Sequence, residues 1–269
     1  MRITIGIIEV VIGLTYTALG VLTVYELHTN HKSRGWSQFG LAFALMAFTC
    51  GPHHLLRAGA VFSSDDATVP ASVVAALIVG LPPGLVFIAL RTEAMLGGSG
   101  DRTLRRMPGL VPTYALVVAA ASGAIVAAAA MSHAKVNPIF ALSNALLVGS
   151  YLAIGWYILS TQFRRYSAHG TWSLSGIALG FIFPTCALIH AAHVFAGTQS
   201  GAHAHHVASD PSFWENALTV LDTAGLPASI WFLIVVRSLY REGLADWSRR
   251  PIVGRALAPN RAAPWVRSL

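Results

Sequence analysis

The chain has 269 residues, of which 55% are hydrophobic and only 11% are charged. A soluble domain carries about 25% charged residues, so this composition excludes an ordinary soluble protein. The formal net charge of +7 lies between and after the apolar runs, where it indicates membrane topology rather than nucleic-acid binding, and two cysteines within apolar runs do not make a secreted disulfide framework.

Apolar runs of roughly 18 or more residues are typical of membrane-spanning helices. The sequence predicts seven such spans, at 3–25, 36–56, 69–90, 110–131, 138–159, 172–195 and 213–236. We expect the third to be broken at Gly80-Leu81-Pro82-Pro83-Gly84, and the seventh contains Gly225-Leu226-Pro227. The predicted fold is an all-α integral membrane protein. Residues 1–248 form its seven-helix domain, and 249–269 form a basic tail without helical periodicity, which we expect to be disordered.

Loops rich in basic residues alternate with loops that contain few of them. Basic residues concentrate in the first, third and fifth loops and in the C-terminal tail, whereas the even loops are poor in arginine. The positive-inside rule therefore predicts that the odd loops and the C-terminus are cytoplasmic and that the N-terminus is outside. We expect the protein to reside in the plasma (inner) membrane, with the lipid bilayer as its surroundings.

Two segments in the first half of the chain each resemble a segment in the second half, at similar separations along the sequence. A shift of 136 residues places Trp36-Ser37 on Trp172-Ser173, Thr49-Cys50 on Thr185-Cys186 and His54 on His190. A shift of 145 residues places Gly80-Leu81-Pro82 on Gly225-Leu226-Pro227, whereas the match between spans one and five is poor. These matches predict a parallel 3+1+3 internal repeat, with span four as the linker. This organisation resembles that of the SWEET sugar transporters.

Ionisable side chains inside a span commonly cost a few kcal/mol each and are functional candidates by default. In this sequence they fall at one depth in the outer half of the predicted bundle, on four different spans. The candidates are Glu9, His53, His54, His190, His193 and Asp222. Convergence of four spans on one layer is stronger evidence for a site than any single residue.

Imidazoles and carboxylates are ligands that Zn²⁺, Fe²⁺ and Cu²⁺ favour. His190 and His193 share a helical face, and His54 would approach from span two. Asp222 or Glu9 would complete the ligand shell or orient a ligating imidazole.

Other candidates stay open. His53 is either a further ligand or a hydrogen-bonded packing residue. Cys50 and Cys186, one turn deeper, could supply thiolates or serve as small residues at helix contacts. In the sixth loop, His203, His205 and His206 form a short tract that could capture metal.

The first functional hypothesis is a metal-dependent intramembrane enzyme, a hydrolase or oxidase acting on a lipid-like substrate. The arrangement resembles the seven-span zinc hydrolases of the adiponectin-receptor and alkaline-ceramidase group, which pair histidines on separate spans with acidic residues. That group has His-x-x-x-His late in the chain, whereas His190 and His193 are separated by two residues. The serine motif of the group is not evident either, so no family residue is carried over.

Three alternatives belong to other classes. A haem b could be clasped by His54 and His190 in an electron-transfer protein. A SWEET-like 3+1+3 transporter would use the Gly-Leu-Pro segments as hinges. A non-catalytic subunit would act with partner subunits in a membrane complex. The sequence identifies neither a catalytic residue nor the metal.

Overall fold

The computed structural model describes residues 2–63, 71–106, 110–131, 138–200 and 211–241. Its helices are α1 (Arg2–Arg34), α2 (Gln38–Ser63), α3 (Ala71–Met95), α4 (Leu110–Met131), α5 (Pro138–His169), α6 (Leu174–Ser200) and α7 (Pro211–Arg241). Two short antiparallel strands, β1 (Thr103–Leu104) and β2 (Trp172–Ser173), complete the described elements. The basic tail and the histidine tract of the sixth loop lie outside the described residues.

The helices confirm an all-α membrane protein. Among the described residues, six helices are long and apolar enough to cross a bilayer, namely α1, α2, α3, α5, α6 and α7. Helix α4 coincides with the predicted fourth span but is not one of these six. The number seven therefore stays a prediction.

The predicted break in the third span is wrong, because α3 continues through Pro82 and Pro83. A proline removes one backbone hydrogen bond and crowds the preceding turn, yet membrane helices tolerate it when neighbouring helices compensate. Buried glycines flank this pair and allow close approach. A Cβ at Gly80 would lie 2.8 Å from Ile189 Cδ1, so α3 and α6 meet closely there.

Helix α6 lies at the centre of the bundle. In its apolar stretch 94% of the residues are buried, against 39–50% in the other candidate spans. It packs against α3, α4 and α5, while α1 packs against α2 and α3, and α7 against α2 and α5. Polar residues within this stretch of α6, such as His190, therefore face protein rather than lipid.

The connection between α3 and α4 is bonded to the beginning of α6. Asp101 accepts hydrogen bonds from the hydroxyl of Ser173 (2.7 Å) and the backbone N–H of Ser175 (2.9 Å). The backbone N–H of Leu174 donates to the carbonyl of Arg102, next to the β1–β2 pair. Together these bonds satisfy donors that the first turn of a helix leaves unpaired.

Candidate metal centre

Asp222 on α7 is the centre of a group of buried polar side chains. Its Oδ1 lies 2.8 Å from Nδ1 of His53 on α2 and 4.0 Å from Nδ1 of His190 on α6. The three residues are only 3–6% exposed. Each offers one ligand atom, and these three atoms all lie within 4.8 Å of one another.

Glu9 on α1 is the centre of a second group. His54 Nδ1 donates to Glu9 Oε2 at 2.6 Å, and the Nε of Arg57 lies 3.4 Å from Glu9 Oε1. His193 Nε2 lies 4.0 Å from the same oxygen. His190 and His193 thus serve different carboxylates, although they are three residues apart on one helix.

His53 joins the two groups. The centroid of its ring lies 5.2 Å from that of His190, 5.9 Å from that of His193 and 5.6 Å from that of His54. The structure therefore brings all six candidate residues into one cluster. The three ligand atoms that converge belong to His53, His190 and Asp222, rather than to the expected combination of His54, His190 and His193.

Asn144 on α5 fixes the tautomer of His190. The Asn144 amide nitrogen donates to Asp222 Oδ2 (2.7 Å) and to the carbonyl of Phe140 (3.0 Å), so its Oδ1 must be the acceptor facing His190 Nδ1 at 2.7 Å. His190 consequently carries its proton on Nδ1 and presents the lone pair on Nε2. A ligating histidine typically has such a partner on its other nitrogen.

Two other histidines lack conventional partners. Neither ring nitrogen of His53 or His193 has a hydrogen bond among the described residues, although these residues are only 4% and 3% exposed. The approach of His53 to Asp222 is close but is not aligned as a hydrogen bond. Unpaired buried polar groups cost roughly 1–3 kcal/mol each, and a metal ion on His53 would remove that cost.

The donor set of this centre suits a transition metal. Two imidazoles and one carboxylate are the ligands of many zinc hydrolases and non-haem iron oxygenases. The converging ligand atoms lie within 4.8 Å of one another, so they would move closer together to hold an ion with bonds of about 2.0–2.2 Å. Zn²⁺ or Fe²⁺ held there would act as a Lewis acid and lower the pKa of a bound water.

A small cavity adjoins the three converging residues. Its volume is at most about 180 Å³, and its other lining residues include Thr49, Cys50, Tyr151 and Gly225. The sulfur of Cys50 lies 3.2 Å from the hydroxyl of Tyr151, within hydrogen-bond distance. In the same way, the Cys186 sulfur lies 3.2 Å from the hydroxyl of Tyr16. Both cysteines thus contact tyrosines.

Sequence reasoning missed Asn144, Arg57 and Tyr151. One signal could have found two of them, because a shift of 135 residues places Glu9 on Asn144 and Tyr16 on Tyr151. A lone asparagine or tyrosine in an apolar run attracts no attention without that comparison. Arg57 lies just past the predicted end of span two, whereas α2 extends to Ser63.

The comparisons with known proteins supply no relative. No protein-family model matches the chain, and no curated protein or solved structure matches it either. The cluster itself is therefore the basis for assigning a function.

Proposed function

We propose that this chain is a metal-dependent integral membrane enzyme that binds one divalent transition metal through His53, His190 and Asp222. The observation that carries the proposal is the convergence of these three ligand atoms within 4.8 Å in a buried site. Three protein ligands leave a coordination position open, which is typical of catalytic rather than structural sites. That position would face the cavity.

The size of the cavity bears on the substrate and the cofactor. Pockets for drug-sized ligands measure about 300–1,000 Å³, and this cavity encloses at most about 180 Å³. It therefore favours a metal ion with a small ligand over a haem between His54 and His190. A lipid-like substrate would present one reacting group to the metal while the remainder stays in the bilayer.

We also propose the parallel 3+1+3 repeat, with the N-terminus outside and the C-terminus in the cytoplasm. Helix packing supports two equivalent halves, because α1 contacts α2 and α3 just as α5 contacts α6 and α7. The crossed pairs also correspond, since α2 packs against α7 and α3 packs against α6. Helix α4 would be the linker between the halves and, as the fourth span, would bring the number of spans to seven.

Side-chain contacts support the same correspondence. Glu9 bonds His54 in the first half, and Asn144 bonds His190 in the second. The Tyr16–Cys186 and Tyr151–Cys50 contacts exchange partners between the halves in the way that a twofold axis requires. The hydroxyls of Ser37 and Ser173 likewise accept hydrogen bonds from the backbone N–H groups of Gly40 and Gly176.

The two halves differ where the metal would bind. The matched positions of His53 and Asp222 are Ile189 and Leu77, which are 1% and 0% exposed. Two buried apolar residues on α6 and α3 therefore correspond in sequence to the histidine–carboxylate pair of α2 and α7. This difference supports one metal ion per chain.

The repeat favours a second candidate function, a transporter of SWEET-like organisation. Transport would require the helices to reorient around the cluster, and substitutions at Pro82 and Pro227 would impair it. We place this candidate second because the buried charges of the cluster occupy one layer rather than a path through the bundle.

The test is elemental analysis with a visible spectrum on protein purified in mild detergent without chelators. We expect about one zinc, iron or copper per chain, and a loss of most of it in His190→Ala and Asp222→Asn. His28→Ala is the matched control, because His28 is an exposed histidine away from the cluster. A haem absorption band would favour the electron-transfer alternative. Absence of metal and colour would leave the transporter or a complex subunit.

A further inference from the structure

A bound divalent metal would reverse the sign of the net charge of the cluster. Among the described residues, three formally charged side chains contact the cluster, namely Glu9, Asp222 and Arg57. Two carboxylates and one guanidinium leave one net negative charge. Because ligating imidazoles are neutral, a divalent ion converts this into one net positive charge.

An unbalanced charge in such a site is costly. Glu9 and Asp222 have side chains that are 1% and 2% exposed, and that of Arg57 is 20% exposed. Transfer of an uncompensated charge into a low-dielectric interior is strongly unfavourable even after relaxation. A ligand with one negative charge would remove this cost, whereas a neutral ligand would not.

The cavity offers a position for such a ligand. Asp222 is the only carboxylate among its lining residues, and the metal would engage it. When the Cys50 thiol donates to the Tyr151 oxygen, the phenolic O–H becomes free to donate into the cavity. The free space in the cavity accommodates about one water-sized group, so the ligand would coordinate through a single small atom.

We infer that the metal-loaded site binds a small monoanion at the open coordination position, with Arg57 supplying the charge excess and Tyr151 a hydrogen bond. Hydroxide, a halide and the carboxylate group of a substrate share this chemistry. The inference rests on the proposed function, because it requires the metal. It specifies that the reacting ligand is anionic.

The experiment uses the full chain in mild detergent, stripped of metal, reloaded with cobalt(II) and titrated with azide. We expect a saturable change in the cobalt visible spectrum at one azide per chain. Arg57→Gln should weaken azide binding about tenfold or more while cobalt stoichiometry is retained. Arg57→Lys keeps the charge and should bind azide nearly as the parent does.

Glu9→Gln provides a test in the opposite direction. Glu9→Gln removes a negative charge, so the net charge of the site becomes more positive and azide should bind more tightly. Both Glu9→Gln and Arg57→Gln disrupt the contact between Arg57 and Glu9, so loss of that contact cannot explain opposite effects. A purely structural role would weaken azide binding in both variants. That result, or an unchanged azide affinity in Arg57→Gln, would overturn the inference.

Two further outcomes separate this inference from the proposed function. A chain that binds one cobalt(II) but shows no spectral change with azide retains the metal site and overturns the anion. A chain that binds no stoichiometric cobalt(II) overturns the metal site and the anion together.

Discussion

At the scale of single residues, Asn144 is the side chain that holds the centre together. It is 0% exposed and bonds both His190 and Asp222, two of the three converging residues. Asn144 is not itself one of the three proposed metal ligands. Asn144 is therefore a positioning residue, which orients one imidazole and one carboxylate toward the same point.

Asn144→Leu keeps the branching of this side chain at Cγ and removes its hydrogen bonds to His190 and Asp222. Loss of such a partner typically lowers metal affinity about 10–100-fold, so we expect this range in competition with a chelator. Asn30→Leu is the control, because Asn30 is exposed on α1 and far from the cluster. Equal metal affinity in the two variants would contradict the role of Asn144.

The six ionisable residues could be predicted from the sequence because a charge in an apolar run is conspicuous. Their pairing could not. Spacing placed His190 and His193 on one face of α6, but packing directs one toward Asp222 and the other toward Glu9. Which helix lies opposite each ring depends on side-chain contacts that helical periodicity does not encode.

At the scale of helices, the contact of α5 with α6 depends on the absence of a side chain at Gly155. A Cβ there would lie 2.5 Å from Pro184 Cδ and 3.1 Å from the carbonyl of Gly180. Neither a proline ring nor a backbone carbonyl can move aside easily. The proline in α6 therefore fits against a glycine in α5, on the turn below Tyr151.

Gly155→Ala should consequently destabilise the protein by roughly 1–3 kcal/mol, the usual cost of an overpacked core. Gly149→Ala on the same helix is the control, because a Cβ at Gly149 would meet nothing within 4 Å. We expect a lower midpoint of thermal unfolding in detergent for the first variant only. Similar midpoints for both variants would show that α5 and α6 can move apart at this contact without a loss of stability.

Hydropathy located the helices well, since the predicted fourth span, 110–131, coincides with α4. Hydropathy underestimated the lengths of the other helices, because these helices continue beyond their apolar runs. Helix α5 extends to His169, ten residues past the predicted end at 159. The prolines of α3 do not break the helix, because neighbouring helices, which a linear pattern does not show, offset their cost.

At the scale of the whole molecule, the proposed halves share a scaffold and differ in chemistry. The Tyr151–Cys50 contact lines the cavity, whereas Tyr16 and Cys186 are not among its lining residues. Both tyrosines are buried and contact a cysteine sulfur at 3.2 Å. The chain thus contains its own control for the function of this contact.

Tyr16→Phe and Tyr151→Phe should lower the thermal midpoint by similar amounts, because each removes one buried hydrogen bond worth about 1 kcal/mol. Only Tyr151→Phe should weaken azide binding to the cobalt(II) protein. Equal effects on azide binding would mean that Tyr151 has no special relation to the metal ligand.

The repeat was predicted from two pairs of helices and not from the third. The shift is 136 residues for α2 and α6 but 135 for α1 and α5, so Glu9 and Asn144 fall out of register when one offset is applied throughout. Their chemical difference hides the relation further. Their equivalent contacts with His54 and His190 support the proposed correspondence, which one offset along the sequence does not suggest.

The hydrogen bonds of Asp101 to the first turn of α6 have a mechanical consequence. They fasten the connection after α3 to the first turn of α6, so a movement that preserves them must pivot near that end. His190 lies fifteen residues along α6 from Ser175, a lever arm of about 22 Å. A tilt of about 5° around this fulcrum would displace His190 by about 2 Å, which is the scale on which a coordination bond forms or breaks.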